Sequence, residues 1–182
     1  MNRSIGVLLF CMIALGAFVP AGAQPEFSAP VLITSAGQSA DVTMAGMLCK
    51  KVGVKASTLP QATANDLGDA GTLMIVPGFS SKGLGAAGIS REEELDRVGK
   101  VIKAAKKKKL HILLLHLGGK ARRGPQSDDF NRMAAEASSM MIVVRQGDED
   151  GFFSDIAKKK KIPLELVDKI AATTTPIKNL FK

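Results

Sequence analysis

The chain contains no tryptophan and no tyrosine, and phenylalanine alone supplies its aromatic content of 4%. Proteins that bind single-stranded nucleic acid stack bases on aromatic side chains, so this composition disfavours nucleic acid as a partner despite a net charge of +8. Histidine and cysteine are equally scarce, with two of each, and no pair of them has the spacing of a zinc site. We therefore expect no metal ion.

Long apolar runs are also scarce, and the clearest one extends from Ile5 to Val19, behind Arg3 and ahead of Ala21-Gly22-Ala23. A basic residue, a short apolar stretch and a small-residue cleavage site are the three parts of a secretory signal. The run would rise about 22 Å as a helix, short of the roughly 30 Å hydrocarbon core, which disfavours a membrane anchor. We predict that residues 1–23 are a signal peptide cut after Ala23 and that the protein is secreted or periplasmic.

Cleavage at that point would remove Cys11 and leave Cys49 as the single thiol, so export does not imply a disulfide framework here. Cys49 falls on the apolar face of a predicted helix, which favours a buried structural cysteine over a reactive one. Residues 24–182 have the length of one domain with a core of its own, and they hold no further apolar segment long enough to span a bilayer.

Apolar strands and amphipathic helices alternate after a short predicted tether at residues 24–30. The predicted strands are 31–33, 54–59, 73–76, 110–117, 140–144 and 163–167, and the predicted helices are 40–52, 90–108, 127–138 and 152–160, with a last turn at 176–181. Strands that are apolar at every position and separated by helices are typical of a parallel sheet covered on both faces. We predict for residues 31–182 a single three-layer, doubly wound α/β domain. Its sheet would be mostly parallel, with five or six strands in an order of about 2-1-3-4-5.

Four segments of this pattern, VLITSAGQSADV, GFSSKGLGAAGI, GDEDGFF and IPLELVDKI, resemble a family of exported bacterial α/β domains of unknown function. The resemblance extends over about Val31 to Phe181. It implies a location in the cell envelope and a Rossmann-like or flavodoxin-like fold, and it supplies no catalytic residues.

Residues 83–88 read GLGAAG, the G-x-G-x-x-G pattern of dinucleotide-binding domains. In that fingerprint the first glycine follows its strand directly, whereas here Phe79 to Lys82 intervene. The acidic residue that should follow the next strand is also absent, because that region reads LHLGG. We therefore expect no dinucleotide and no other cofactor. We interpret the segment as a flexible glycine-rich loop over the ligand crevice, with Ser90 and Glu93 forming a capping box behind it.

The crevice in question lies beyond the carboxyl ends of the first and third strands, where the winding of such a sheet reverses, and we call it the switch-point crevice. Polar or basic side chains follow three predicted strands at this edge, and backbone N–H groups at the start of the first helix could hold a carboxylate or phosphate. We predict a binding site there for a small ligand, with an anion as one candidate. Its residues would be Ser35, Gly37, Gln38, Ser39, Ser80, Ser81, Lys82, His116 and Lys120.

His116 also suggests a hydrolase, with Ser35 or Ser80 as the nucleophile and an acidic residue of 148–150 orienting the imidazole. The chain has no G-x-S-x-G elbow, so hydrolysis ranks third among the predicted functions and a non-enzymatic role is preferred. Residues 148–150 also lack the spacing of a calcium loop and suit the start of the helix that follows.

Lysines concentrate at or just beyond the carboxyl ends of three predicted helices. They are Lys50, Lys51, Lys55, Lys106, Lys107, Lys108, Lys109, Lys158, Lys159, Lys160 and Lys161, and we call them the lysine rim. In a doubly wound fold these helix ends share the edge opposite the switch-point crevice. Compensation of helix dipoles accounts for basic residues there. An edge with so many lysines should also attract anionic envelope polymers or lipid headgroups. The alternative function is therefore an envelope structural or interaction protein that docks through this rim.

Overall fold

The computed structural model describes residues 25–182, so the predicted signal peptide lies outside the described residues. Six strands are present: β1 (Val31–Ala36), β2 (Ala56–Thr58), β3 (Thr72–Pro77), β4 (His111–His116), β5 (Met140–Val144) and β6 (Leu164–Val167). The helices are α1 (Asp41–Lys51), α2 (Ser81–Ala87), α3 (Arg91–Lys107), α4 (Pro125–Ala137), α5 (Phe152–Lys160) and α6 (Thr174–Leu180). Short 3-10 turns occupy Ala64–Leu67, Gly119–Arg122, Arg145–Gly147 and Ile170–Thr173.

All six strands form one parallel sheet in the order β2-β1-β3-β4-β5-β6. The predicted α/β class and the order 2-1-3-4-5 are confirmed, with β6 added at the far edge. The winding reverses between β1 and β3, which run side by side and end level, with Ala36 opposite Pro77. The loops that follow these two strands therefore start next to each other.

The sheet is buried between two helical layers, and this gives the domain two apolar clusters. On one face α1 and α6 contribute side chains that include Val42, Leu48 and Ile177. On the other face α3, α4 and α5 contribute side chains that include Val101 and Phe130. Within residues 25–182 no helix is long and apolar enough to cross a membrane.

The thiol of Cys49 lies in the first of these clusters and is fully buried, as predicted for a structural cysteine. Burial raises its pKa to about 11, because a thiolate would lose its hydration there. A thiol that stays protonated is a poor nucleophile. Cys49 is therefore a packing residue of the core.

The segment predicted as a short tether is partly built into the domain. Phe27 is buried in the core, and its ring lies 5.5 Å from His111 and 6.1 Å from Phe181. The backbone N–H of Ser28 donates to Thr72 Oγ1 at 3.1 Å. The buried aromatic ring and the Ser28 hydrogen bond thus dock a stretch that is otherwise polar and contains prolines.

The glycine-rich segment is helix α2 and not the flexible loop that the sequence suggested. The hydroxyl of Ser80 accepts a hydrogen bond from the Gly83 N–H at 3.0 Å and so caps the helix. Glycine is a weak helix former, but a β-carbon at position 83 would lie 1.9 Å from the Gln38 carbonyl oxygen. Gly83 is therefore required for the close packing of α2 against the loop after β1.

Helix starts follow the predicted chemistry in one case and depart from it in another. Ser90 and Glu93 form the expected capping box, with hydrogen bonds of 2.7 and 3.1 Å. Ser127, which the sequence predicts as the first residue of a helix, lies instead inside α4, because this helix begins two residues earlier at Pro125. Its hydroxyl instead accepts from the backbone N–H of Phe79 at 3.1 Å and ties α4 to the loop after β3.

Two glycines of α2 provide a matched test of this packing. Gly83→Ala should lower the free energy of unfolding by about 1–3 kcal/mol, since its β-carbon meets backbone. Gly85→Ala should raise it by about 0.5–1 kcal/mol, since nothing lies within 4 Å and alanine favours the helix. Urea unfolding of both variants measures the difference. Equal effects would mean that α2 is not held against Gln38.

Candidate functional site

The loops after β1 and β3 meet at the predicted switch-point crevice. Gln38 and Phe79 form an isolated antiparallel bridge, and the N–H of Ser80 donates to the Gly37 carbonyl at 2.8 Å. Gly37 has a φ of +102°, and a β-carbon there would lie 2.7 Å from the Gly78 carbonyl oxygen. Backbone fills the space between the two loops, so only glycine fits at position 37.

A carboxylate occupies the position where an anion was predicted, and it belongs to the protein. Glu94 Oε1 accepts from the Gly37 N–H at 2.8 Å and from the Gln38 side-chain amide at 3.0 Å. The Glu94 side chain is fully buried, although it starts from the first turn of α3. The prediction that these donors hold an anion thus describes an internal contact.

Arg97 completes this contact one turn further along α3. Its guanidinium contacts both Glu94 oxygens, at 2.7 and 2.8 Å, and donates to the carbonyls of Ser35 and Ala62, each at 2.6 Å. A buried ion pair is tolerated only when its remaining polar atoms find partners, and these hydrogen bonds provide them. The pair fastens α3 to the end of β1.

The nine residues of the predicted ligand site fall into two groups. Ser35, Gln38, Ser39 and His116 belong to the buried group. Gly37, Gln38 and Ser80 are the members of the predicted site that contact one another. Ser39 accepts the Asp41 N–H with its hydroxyl at the start of α1, whereas Ser81 and Lys82 are exposed on α2 and Lys120 is exposed after β4. The expected open crevice is filled by Glu94 and Arg97. Ligand binding by these nine residues stays a prediction, and a ligand at Gly37 would have to displace Glu94.

Lys120 lies instead on a shallow cavity of about 350 Å³ between the loops after β4 and β5. Its lining residues are Lys120, Arg123, Gly124, Asp128, Gln146, Glu149 and Asp150. Arg123 is already engaged by Asp128 and Asp150, each at 2.8 Å, and its hydrogen bonds lower the pKa of Asp150 to about 2. Three carboxylates and two cations leave this cavity with no surplus of positive charge for an anion.

His116 is buried beneath the same loops. Its Nε2–H donates to the Arg122 carbonyl at 3.3 Å, and its ring lies 4.9 Å from that of Phe153. Nδ1 has no partner and faces Gly147, where a β-carbon would lie 2.6 Å away. Burial lowers the histidine pKa from 6.5 to about 4, so the ring is neutral and packs as a core residue.

The residues proposed for a hydrolase are therefore not assembled. Ser80 Oγ is used as the cap of α2, and Ser35 Oγ is buried without a partner. Asp148 caps α5 by accepting the Phe153 N–H at 2.6 Å. Among residues 25–182 no hydrogen bond joins His116 to either serine or to a carboxylate. A catalytic triad needs both connections.

Glu94 and Arg97 are the residues of this region that sequence reasoning missed. Glu94 lies in the acidic first turn of α3, a position that predicts a carboxylate facing solvent. The available signal was its spacing, because Glu94, Val98 and Val101 lie at i, i+4 and i+7 on the buried stripe. A charged residue on such a stripe requires a buried partner, and the nearest cations in sequence are Arg91 and Arg97, each three positions away.

The lysine rim is found as predicted. Its lysines are exposed and lie at or just beyond the carboxyl ends of α1, α3 and α5, at the edge where the parallel strands begin. Within residues 25–182 none of them forms an ion pair, although Lys108 Nζ donates to the Gly68 carbonyl at 2.8 Å. Glu26, Asp69 and Glu136 are carboxylates of the described chain near this edge, so positive charge dominates it.

Together these features define a doubly wound α/β domain with its switch point closed by an internal ion pair and a cationic edge on the opposite side. The chain belongs to the family described as Domain of unknown function (DUF6305), which residues 28–181 match. No curated protein matches it.

Two solved structures are similar over most of the chain. A GDSL-like lipase from Bacteroides thetaiotaomicron is 14% identical, with 79% of this chain and 71% of that chain covered and a TM-score of 0.37. A mutant of the esterase AlinE4 is 12% identical, with 87% and 84% covered and a TM-score of 0.31. At these scores neither likeness bears on the function of this chain.

Removing Arg97, the ion-pair partner of Glu94, should lower the stability of the fold. Arg97→Leu would leave a buried carboxylate without its cation and should lower the free energy of unfolding by about 3–5 kcal/mol. Lys100→Leu on the same helix breaks only the exposed pair with Asp96 and should change it by less than about 1 kcal/mol. Urea unfolding at neutral pH compares the two, and similar values would refute the role assigned to the buried pair.

Burial of His116 predicts a specific loss of stability in mild acid. Below pH 6.5 the unfolded chain takes up a proton at this histidine, whereas the folded chain does so only near pH 4. Stability should therefore fall by up to about 3 kcal/mol as the pH drops through this window. His116→Gln should flatten the fall, and His111→Gln, which keeps His116, should not. Unfolding free energies measured at several pH values test this, and an unchanged slope in His116→Gln would contradict it.

Proposed function

We propose that the protein is an exported interaction domain that docks on an anionic surface of the cell envelope through its lysine rim. One observation carries the proposal: eleven exposed lysines from three helix ends share one edge, and none has an ion-pair partner within residues 25–182. An edge of this charge attracts polyanions and headgroups at moderate ionic strength.

Helix dipoles alone do not explain so many lysines. A cation in the last helical turn is stabilising by about 0.3–1 kcal/mol, and the effect fades within that turn. Lys108, Lys109 and Lys161 lie beyond the ends of α3 and α5, and Lys55 lies four residues beyond α1. Each additional lysine also repels its neighbours. Binding an anionic surface would relieve that repulsion.

The opposite edge has the composition expected if docking is directional. Carboxylates gather in the first turns of the helices, where they complement the dipoles. They include Glu92, Glu93, Asp128 and Asp155. A domain with unlike edges would approach a negative surface with the lysine rim foremost.

The other two predicted functions have less support in the geometry. A small-ligand module needs an open site, and the switch-point crevice is filled by Glu94 and Arg97. A hydrolase needs His116 next to a nucleophile, and its ring nitrogens face the Arg122 carbonyl and Gly147.

Binding to dextran sulfate, measured against salt concentration by calorimetry, tests the proposal. Replacing one lysine in each cluster, as Lys51→Gln, Lys107→Gln and Lys159→Gln, should weaken binding about tenfold, at roughly 0.5 kcal/mol for each exposed contact. Lys109 and Lys161 are left unchanged because both have positive φ values, where substitution alters the backbone.

The matched control removes the same charge elsewhere, as Lys82→Gln, Lys120→Gln and Lys169→Gln, all of which are exposed. This variant should bind dextran sulfate nearly as well as the unaltered chain. Equal weakening of the two triple variants would mean that only net charge matters and would defeat the proposal. Circular dichroism establishes that both variants are folded.

A further inference from the structure

The lysine rim consists of three separate clusters. Lys50, Lys51 and Lys55 lie at the end of α1, on one face of the sheet. Residues 106–109 at the end of α3 and 158–161 at the end of α5 lie on the other face. The clusters therefore cannot fall on a single line.

Standard packing distances give the size of this arrangement. Helices α3, α4 and α5 lie side by side, and neighbouring helix axes are 8–10 Å apart, so the α3 and α5 clusters are about 20 Å apart. Each helical layer lies about 10 Å from the sheet, so the α1 and α3 clusters are also separated by about 20 Å. A flat anionic surface contacts all three corners of such a triangle at once, whereas a polyanion must bend to reach them all.

The chain enters the domain at this same edge. Phe27 packs against His111, the first residue of β4, and Pro30 immediately precedes β1, which lies between α1 and α3. Seven residues separate Phe27 from Val19, the end of the apolar run. Fully extended they reach at most about 25 Å. A membrane that holds the apolar run is therefore within reach of the lysine rim.

We propose that the three clusters seat the domain upright on an anionic lipid bilayer, the membrane that residues 5–19 enter during export. This rests on the proposed docking function and adds the identity of the surface and the orientation. Cleavage after Ala23 would leave the lysine rim as the remaining contact with that membrane.

The contact is mainly electrostatic, because lysines far outnumber exposed apolar side chains at the rim. The exposed large apolar side chains of the described chain are Met44, Met47, Leu59 and Ile170. Leu59 and Ile170 follow the ends of β2 and β6, and Met44 lies in the first half of α1. Met47 lies one turn before Lys50 and lines the same surface cavity as Lys50 and Lys55, so it is the one exposed large apolar side chain of the described residues beside the rim. Binding through lysine alone is reversible and sensitive to salt.

Vesicle binding with position-specific labels tests both the lipid and the orientation. Residues 27–177 supply the core, so the chain from residue 24 is expected to fold and is used here. Vesicles of phosphatidylglycerol with phosphatidylcholine should bind it, and phosphatidylcholine alone should not. The Lys51→Gln, Lys107→Gln, Lys159→Gln variant should bind about 100-fold more weakly, at about fivefold for each lysine, and the Lys82→Gln, Lys120→Gln, Lys169→Gln control should bind almost normally.

Orientation is read from energy transfer to an acceptor in the headgroup layer. The buried thiol of Cys49 stays unreactive, so a fluorophore can be attached at Lys107→Cys on the rim or at Ser81→Cys on the opposite edge. Transfer should be strong from position 107 and weak from position 81, and about 1 M salt should abolish both.

Each contrary outcome has a distinct meaning. Dextran sulfate binding without vesicle binding would overturn the bilayer proposal and leave the docking function standing. Equal transfer from the two labels, or binding that survives high salt, would also overturn the upright electrostatic contact. If the chain bound neither dextran sulfate nor vesicles, both proposals would be overturned.

Discussion

The buried contact between Glu94 and Arg97 holds together the carboxyl end of β1 and the loops beside it. Through it the first turns of α3 hold the Gly37 N–H, the Gln38 amide and the carbonyls of Ser35 and Ala62. Those partners belong to the end of β1 and to the connection after β2. Because the polar atoms satisfy one another, a cluster that would be costly when incomplete becomes a rigid closure.

Closure of that edge changes where the protein can interact with other molecules. Doubly wound domains usually bind ligands where the strand order reverses, and here an internal carboxylate fills that position. The edge where the strands begin is normally a place for stability and carries helix carboxyl ends. In this chain it also carries three clusters of lysines, none of which forms an ion pair within residues 25–182. The protein thus presents its excess of positive charge on the edge opposite the position where such domains usually bind ligands.

Patterns with a local cause were predictable from the sequence. Apolar strands such as Leu73 to Val76 and the capping box of Ser90 with Glu93 depend on neighbouring residues, and the strand order followed from winding rules. The failures involve contacts between distant segments. Residues 83–88, with three glycines, read as a loop because the Gln38 carbonyl that requires Gly83 lies 45 positions away. Glu94 read as solvent-facing because its donors come from the loop after β1. The position of Phe27 depends likewise on His111 and Phe181.

The packing of Phe27 against Phe181 brings both ends of the described chain to the cationic side of the domain. A folded fusion partner or affinity tag joined at either end would therefore lie on the side of the lysine rim and would separate the rim from an anionic surface. A circular permutant that joins these neighbouring ends and opens in the loop around Gly124, where a β-carbon meets nothing within 4 Å, would move the tag to the far side.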